Sequence, residues 1–214
     1  MNILFLTIYI VSTAIHLYAS KKKNQKLRDI TKPFILTSLL GFYCVMARPP
    51  MTMMILALIF SWLGDVFLIG RGVKWFTVGG IAFMISHVFF ILAYNTQVDF
   101  SKINIIPVVI IALLYTVATF IEFKNLKGWL PKPLFYPMFF YLLINSTMNC
   151  FAFYRMLSNP CLATVTTFVG ALMFYISDCT LFFVRFKKDG KERDHFVVML
   201  TYSLGEMLIV LGML

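Results

Sequence analysis

Charge is what this chain has least of. Only 13% of its 214 residues are Asp, Glu, Lys or Arg, against roughly a quarter in soluble domains. Sixty per cent are hydrophobic and the mean hydropathy is +0.85. A soluble fold cannot cover that much apolar side chain, so lipid must be its solvent. Carboxylates are scarcest: nine Asp and Glu face 19 Lys and Arg, for a net charge of +10. In a soluble protein this excess would point to nucleic acid. Here it reads as charge at a membrane boundary, and no nucleic-acid partner is expected. Cysteine is limited to Cys44, Cys150, Cys161 and Cys179. They show no CxxC spacing, which removes a disulfide framework or zinc motif from consideration. They read instead as small apolar residues. Neither GxSxG nor HExxH occurs, so serine-esterase and zincin mechanisms lack their usual signs. Nothing resembles a retention or lipidation signal.

What the chain does have is long apolar runs of 16 to 25 residues without alternation. Backbone in lipid must satisfy its own hydrogen bonds, so runs of this kind are helices, each needing ~20 residues. The predicted spans are 2–20, 33–48, 51–70, 75–96, 103–123, 134–154, 161–184 and 196–214. The connectors are too short for a second domain. The expected fold is therefore all-α: one polytopic bundle of eight transmembrane helices over residues 1–214. The first run lacks a preceding basic segment, since Lys21-Lys22-Lys23 follows it. It reads as a span and not as a signal peptide. Arg48-Pro49-Pro50 predicts a tight turn.

Basic residues are distributed unevenly among the connectors. The first, third, fifth and seventh carry six, two, three and five. The seventh holds Arg185, Lys187, Lys188, Lys191 and Arg193. The others hold Arg48, Lys102 and Arg155 alone. By the positive-inside rule the odd connectors are cytoplasmic and both termini lie on the other side. A bacterial inner membrane and an endoplasmic reticulum both fit. A weak repeat runs through the same map. Lys32-Pro33 opens span 2 and Lys132-Pro133 opens span 6. Ser61-Trp62-Leu63-Gly64-Asp65 ends span 3, and Tyr175-Ile176-Ser177-Asp178 ends span 7. Matching elements four spans apart suggest two parallel four-helix halves.

Ionisable groups deep in spans are costly and mark function by default. Four stand out: Asp65, Asp178, Glu206 and His87. Counting ~1.5 Å per residue puts Asp65, Asp178 and Tyr202 at one level, ~10 Å from the cytoplasmic face. Glu206, His87 and Asn145 fall ~16–20 Å deep by the same rise. Tyr202 and Glu206 share a helical face, as do Asn145 and Asn149. These stripes predict one polar cavity open to the cytoplasmic side, with Lys32, Lys132, Arg71 and Arg185 around its mouth. His16 and His195 are expected at the interfaces, and Gly64, Gly79 and Gly80 at close helix contacts. Two carboxyls in a low-dielectric site rarely both ionise, so one can act as general acid and the other as base. A metal held jointly by the aspartates and His87 is disfavoured by the ~10 Å difference in depth. No metal or cofactor is expected.

At these residues the sequence resembles the lysoplasmalogenase, or YhhN-like, family of eight-span membrane proteins. The resemblance is carried by Lys32-Pro33, Ser61-Trp62-Leu63-Gly64-Asp65 and Ala82-Phe83-Met84-Ile85-Ser86-His87. It continues through Gly170-Ala171-Leu172-Met173-Phe174-Tyr175-Ile176-Ser177-Asp178 and Met199-Leu200-Thr201-Tyr202. Two positions depart from it: Phe90 stands where a Tyr is expected, and a Gln is expected near Glu206. The resemblance implies hydrolysis of the vinyl ether of a lysophospholipid, giving a fatty aldehyde and glycerophospho-ethanolamine or -choline. It implies catalytic roles for Asp65 and Asp178, in either assignment of acid and base. His87, Asn145, Tyr202, Glu206, Ser61, Ser177, Lys32 and Lys132 would bind substrate or support the pair. The alternative is a proton-coupled transporter or lipid-handling protein, since parallel repeats and buried carboxylates serve those as well.

Overall fold

A computed structural model describes residues 2–187 and 195–214. Lys188, Lys191 and Arg193, part of the predicted basic seventh connector, lie outside the described residues. Among those described there are eight long helices and no strand. They are α1 (Asn2–Lys21), α2 (Gln25–Met46), α3 (Thr52–Ile69), α4 (Val73–Asn95), α5 (Ile105–Leu126), α6 (Phe135–Ser158), α7 (Leu162–Phe186) and α8 (His195–Gly212). Single 3-10 turns at Phe100–Lys102 and Lys132–Leu134 precede α5 and α6. Seven of the eight are long and apolar enough to cross a membrane. The exception is α6, which is 24 residues long but buries Asn145, Ser146, Asn149 and Arg155 on its inward face.

Most boundaries fall near the predicted spans. The largest departure is α2, which starts at Gln25 and runs through Pro33 instead of opening there. Asn24 caps it by accepting from the Leu27 amide at 3.2 Å, and capping sets a helix start whatever the lipid boundary. Pro33 brings no N–H, but its carbonyl accepts from the Trp62 indole of α3 at 3.1 Å. The Arg48-Pro49-Pro50 turn separates α2 from α3 as expected.

Helices α1, α2, α3, α4, α6, α7 and α8 each touch the next, and α8 returns to α1, closing a ring. Helix α5 lies outside it, against α6 and α7. Its outward face carries Ile106, Ile110, Leu113, Leu114, Val117 and Ile121, all exposed, as a lipid-facing surface requires. The two halves suggested by the repeat are thus used unequally: α1 closes the ring where α5 stays outside.

Contact between α7 and α8 is backbone to backbone. A Cβ on Gly170 would come within 2.7 Å of the Gly205 carbonyl oxygen, and one on Gly205 within 2.8 Å of the Gly170 oxygen. Lipid gives helices no hydrophobic drive to associate, so small residues that permit such closeness hold the pair. Arg155 joins the end of the ring formed by the even connectors. It donates to Gln97 at 2.6 Å, Thr167 at 2.6 Å and the Gly212 carbonyl at 2.9 Å. Counted by sequence as a connector charge, it is instead buried, because α6 extends four residues past the predicted end of span 6.

Candidate active site

The other end of the ring holds a cavity of about 110 Å³. Gln25, Arg28, Asp29, Arg185 and His195 line its outer part, and Asp65, Ser177, Asp178 and Tyr202 its inner part. The outer residues come from the helix ends next to the first and seventh connectors, so the mouth opens on the basic face. Lys32 and Arg185 line the cavity as expected, but Lys132 and Arg71 do not. Lys132 is exposed on the turn before α6. Its motif matches Lys32-Pro33, but it precedes its helix, whereas Lys32 lies a turn and more inside α2. His16 also lines the cavity; it is buried, with Nδ1 2.9 Å from the Thr31 hydroxyl.

Asp65 is almost wholly buried in α3. Its Oδ1 pairs with the Lys32 ammonium at 3.2 Å, and its Oδ2 accepts from the Tyr202 hydroxyl at 2.9 Å. One docking contact sets this up: the Trp62 indole fixes α3 on the Pro33 carbonyl, and Lys32 and Asp65 meet one position and three positions along. Gly64 makes room for α4, since a Cβ there would fall 2.5 Å from the Phe83 ring. Phe83 in turn packs edge-on against Tyr202, with centroids 6.0 Å apart.

Asp178 in α7 is held differently. Its Oδ2 accepts from the Tyr141 hydroxyl at 2.5 Å and the Asn145 amide at 2.8 Å, and lies 3.3 Å from His87 Nε2. His87 Nδ1 is buried with no partner among the described residues, so the ring hydrogen belongs on Nε2, donating to Asp178. Phe174 and Tyr141 flank the imidazole at 4.9 and 5.4 Å between centroids. The Asn145 amide is itself oriented. Tyr115 donates to Asn149 at 3.1 Å, and Asn149 donates to the Asn145 side-chain oxygen at 3.2 Å. That chain leaves the Asn145 NH₂ pointing at the carboxylate. Three donors therefore converge on one oxygen. Asp178 Oδ1 has no hydrogen bond among the described residues and remains for whatever occupies the cavity.

Several expectations need correction. His87 does not sit ~10 Å below the aspartates as rise alone implies; it touches Asp178. Residue counts taken from different helix starts do not share a depth scale. Asn145 does not face the cavity, because its amide is taken up by Asp178. Glu206 does not reach the cavity either. It is fully buried, and neither oxygen makes a hydrogen bond of normal geometry among the described residues, although the Ser61 hydroxyl lies beside it. Ser61 pairs with Ser86 at 2.7 Å, which donates to the Ala57 carbonyl at 2.8 Å. Ser177 lines the cavity but donates to the Val198 carbonyl at 2.8 Å, tying α7 to α8. Gly80, expected at a close contact, has nothing within 4 Å of where a Cβ would stand.

Tyr141 is the residue that sequence reasoning missed. Its signal was available: Tyr141, Asn145 and Asn149 recur every four residues, forming one polar stripe on α6. Glu122 was missed too, as a residue at a predicted span end; it is buried in α5. Among the described residues no three His, Cys, Asp or Glu side chains gather to hold a metal ion.

No curated protein and no solved structure matches the chain. The family model described as the YhhN family matches residues 27–213, a stretch that contains both aspartates, their partners and seven of the eight helices whole or nearly so, and on that match the chain belongs to the YhhN family.

Proposed function

We propose that the protein is a membrane hydrolase that cleaves the vinyl ether of lysoplasmalogens, releasing a fatty aldehyde and glycerophospho-ethanolamine or -choline. One observation carries this reading: two carboxyls line one cavity, one paired with a lysine and the other held through a single oxygen by a phenol, an amide and an imidazole. Both oxygens of Asp65 accept, from a cation and a phenol, which suits a carboxylate. Among the described residues Asp178 accepts only through Oδ2, so a proton on Oδ1 would face the cavity, which suits an acid.

The chemistry then balances. Asp178 gives its Oδ1 proton to the β-carbon of the vinyl ether, leaving an oxocarbenium ion that the Asp65 carboxylate stabilises. Water adds to the cationic carbon and loses a proton to Asp65. The hemiacetal collapses as Asp178 removes the hydroxyl proton and Asp65 returns one to the departing glycerol oxygen. Both carboxyls end as they began. Tyr141, Asn145 and His87 position Asp178, Lys32 and Tyr202 position Asp65, and Ser177 fixes the α7–α8 wall. On this reading α6 crosses the membrane with the other seven helices. Its low apolarity reflects the polar stripe it presents to the ring. The basic mouth faces the cytoplasm and both termini lie opposite.

The test is aldehyde release from lysoplasmenylethanolamine by protein purified in mild detergent, with Asp65→Asn and Asp178→Asn alongside. Release lost in both folded variants supports the reading, and no release from folded native protein sinks it. The fully buried Glu206 favours a second reading, proton-coupled transport. It predicts substrate movement driven by a gradient in liposomes and no product in detergent.

A further inference from the structure

The polar cavity does not account for all the internal space. A recess of about 40 Å³ lies between the first half of α4 and the start of α6. Its walls are almost wholly apolar, with Ile81, Met84, Pro137 and Met138 among them and Gly80 on the α4 side. Ile81 and Pro137 are exposed on the outer surface, so the recess faces sideways, toward lipid. Between recess and cavity is a gap of about 20 Å³. Phe76, Gly80, Tyr141 and Phe182 border both gap and recess, while Phe83 and Asp178 border both gap and cavity. The three spaces form one line: from the basic mouth, over the aspartates, past Tyr141 and out between α4 and α6. Phe76 borders all three and is held at the side by Phe182 and Phe186, with centroids 5.8 and 4.8 Å away.

This line has the polarity of an amphiphile. Its wet end carries Arg28, Lys32 and Arg185, its dry end carries hydrocarbon side chains, and Asp178 stands where the two meet. The gap has room for about one water-sized group in section, enough for one hydrocarbon chain and too little for two. We propose that the α4–α6 recess is a tail site, holding the single chain of an amphiphile whose polar head occupies the cavity. Only the naming of that amphiphile as a lysophospholipid rests on the hydrolase reading. Gly80 sets the room available. Its neighbour Gly79 is a packing glycine, since a Cβ there would come 3.0 Å from Leu68 and 3.2 Å from the Gly64 oxygen. A Cβ on Gly80 meets nothing within 4 Å, so a larger side chain there would grow into the recess.

The experiment is photolabelling in detergent with a lysophosphatidylethanolamine whose chain ends in a diazirine. Its ester linkage means that labelling needs no vinyl-ether turnover. Labels on residues 77–84 and 137–141, displaced by unlabelled lysolipid, support the tail site. Labels confined to α1, α2 or α5 overturn it. Aldehyde release is measured separately, so a protein that labels at the recess and releases no aldehyde keeps the tail site and loses the hydrolase reading. Gly80→Leu gives a second readout. Apparent affinity in the native protein should tighten up to about fourfold for each methylene the recess buries. In Gly80→Leu that dependence flattens, weakening long chains about tenfold or more while short chains stay within about twofold. An equal loss for short and long chains overturns the proposal.

Discussion

Asp65 faces a lysine and a phenol through separate oxygens; Asp178 faces a phenol, an amide and an imidazole through one. They share a cavity and a sequence setting, each late in an odd-numbered helix. Their partners come from different sources. Asp65 is served by the helices α2 and α8, and Asp178 by α4 and α6. The lysine that follows the motif into the second half never arrives, because Lys132 stays outside. An anion balanced by a full positive charge is held as an anion. One held through a single oxygen by a phenol, an amide and an imidazole, with the other oxygen left open, can change state as its surroundings change. Similar motifs in the two halves thus yield two carboxyls in different surroundings.

Removing either carboxyl should have the largest effect. Positioned acid–base groups contribute about 10²–10⁴ in rate, so Asp178→Asn and Asp65→Asn should each lower aldehyde release by about that factor. Their pH profiles should each lose a different limb. If both variants lose the same limb, the distinction between the two fails. Lys32→Met should come next, because it takes away what separates the two sites. Breaking a largely buried pair leaves an uncompensated charge worth about 3–5 kcal/mol, and Asp65 would have to take up a proton to escape it. Activity should fall about a hundredfold at neutral pH, with partial recovery in Lys32→Arg. Full activity in Lys32→Met would mean that Asp65 does not act as a carboxylate. Tyr141→Phe keeps the ring and removes one of three donors. A single hydrogen bond to a charged group is worth about 1.5–3 kcal/mol. The loss should appear mainly in kcat, as a fall of about tenfold or more.

The contrast between the aspartates explains how much could be read in advance. Span positions and the basic face follow from hydropathy and residue counts. These properties belong to each helix singly. The partners do not. His87 reaches Asp178 although the count separates them, because each count starts from its own loop. Lys32 and Lys132 look alike beside their prolines, yet Asn24 starts α2 early enough to place Lys32 well inside its helix, half-buried, while Lys132 stays exposed before α6. Tyr141 was visible as part of a polar stripe but gave no hint of which carboxylate it would meet. Gly80 looked like its neighbour Gly79 and proved to border open space. In each case the missing information was which helix stands opposite, and the ring order with α5 excluded is set by contacts between distant segments.

The smallest effect on catalysis should come from Arg155, the opposite of Asp178 at the closed end of the ring. Arg155 is a buried cation held by three neutral acceptors, as Asp178 is a buried carboxyl held by three donors. The difference is access. Asp178 borders the cavity, whereas Arg155 joins Gln97, Thr167 and the Gly212 carbonyl, so its bonds fasten the α4–α5 connector, α7 and α8 together. Arg155→Met removes the charge with its donors and leaves three acceptors to find other partners. Stability should fall by about 2–4 kcal/mol, read as a lower midpoint in detergent-based thermal unfolding. Turnover per folded molecule should stay within about threefold of native at low temperature, because no part of the cavity wall moves directly. If Arg155→Met instead lost turnover as Tyr141→Phe does while remaining equally folded, the closed end would be coupled to the chemistry. The division of the molecule into a reacting end and a fastening end would then be wrong.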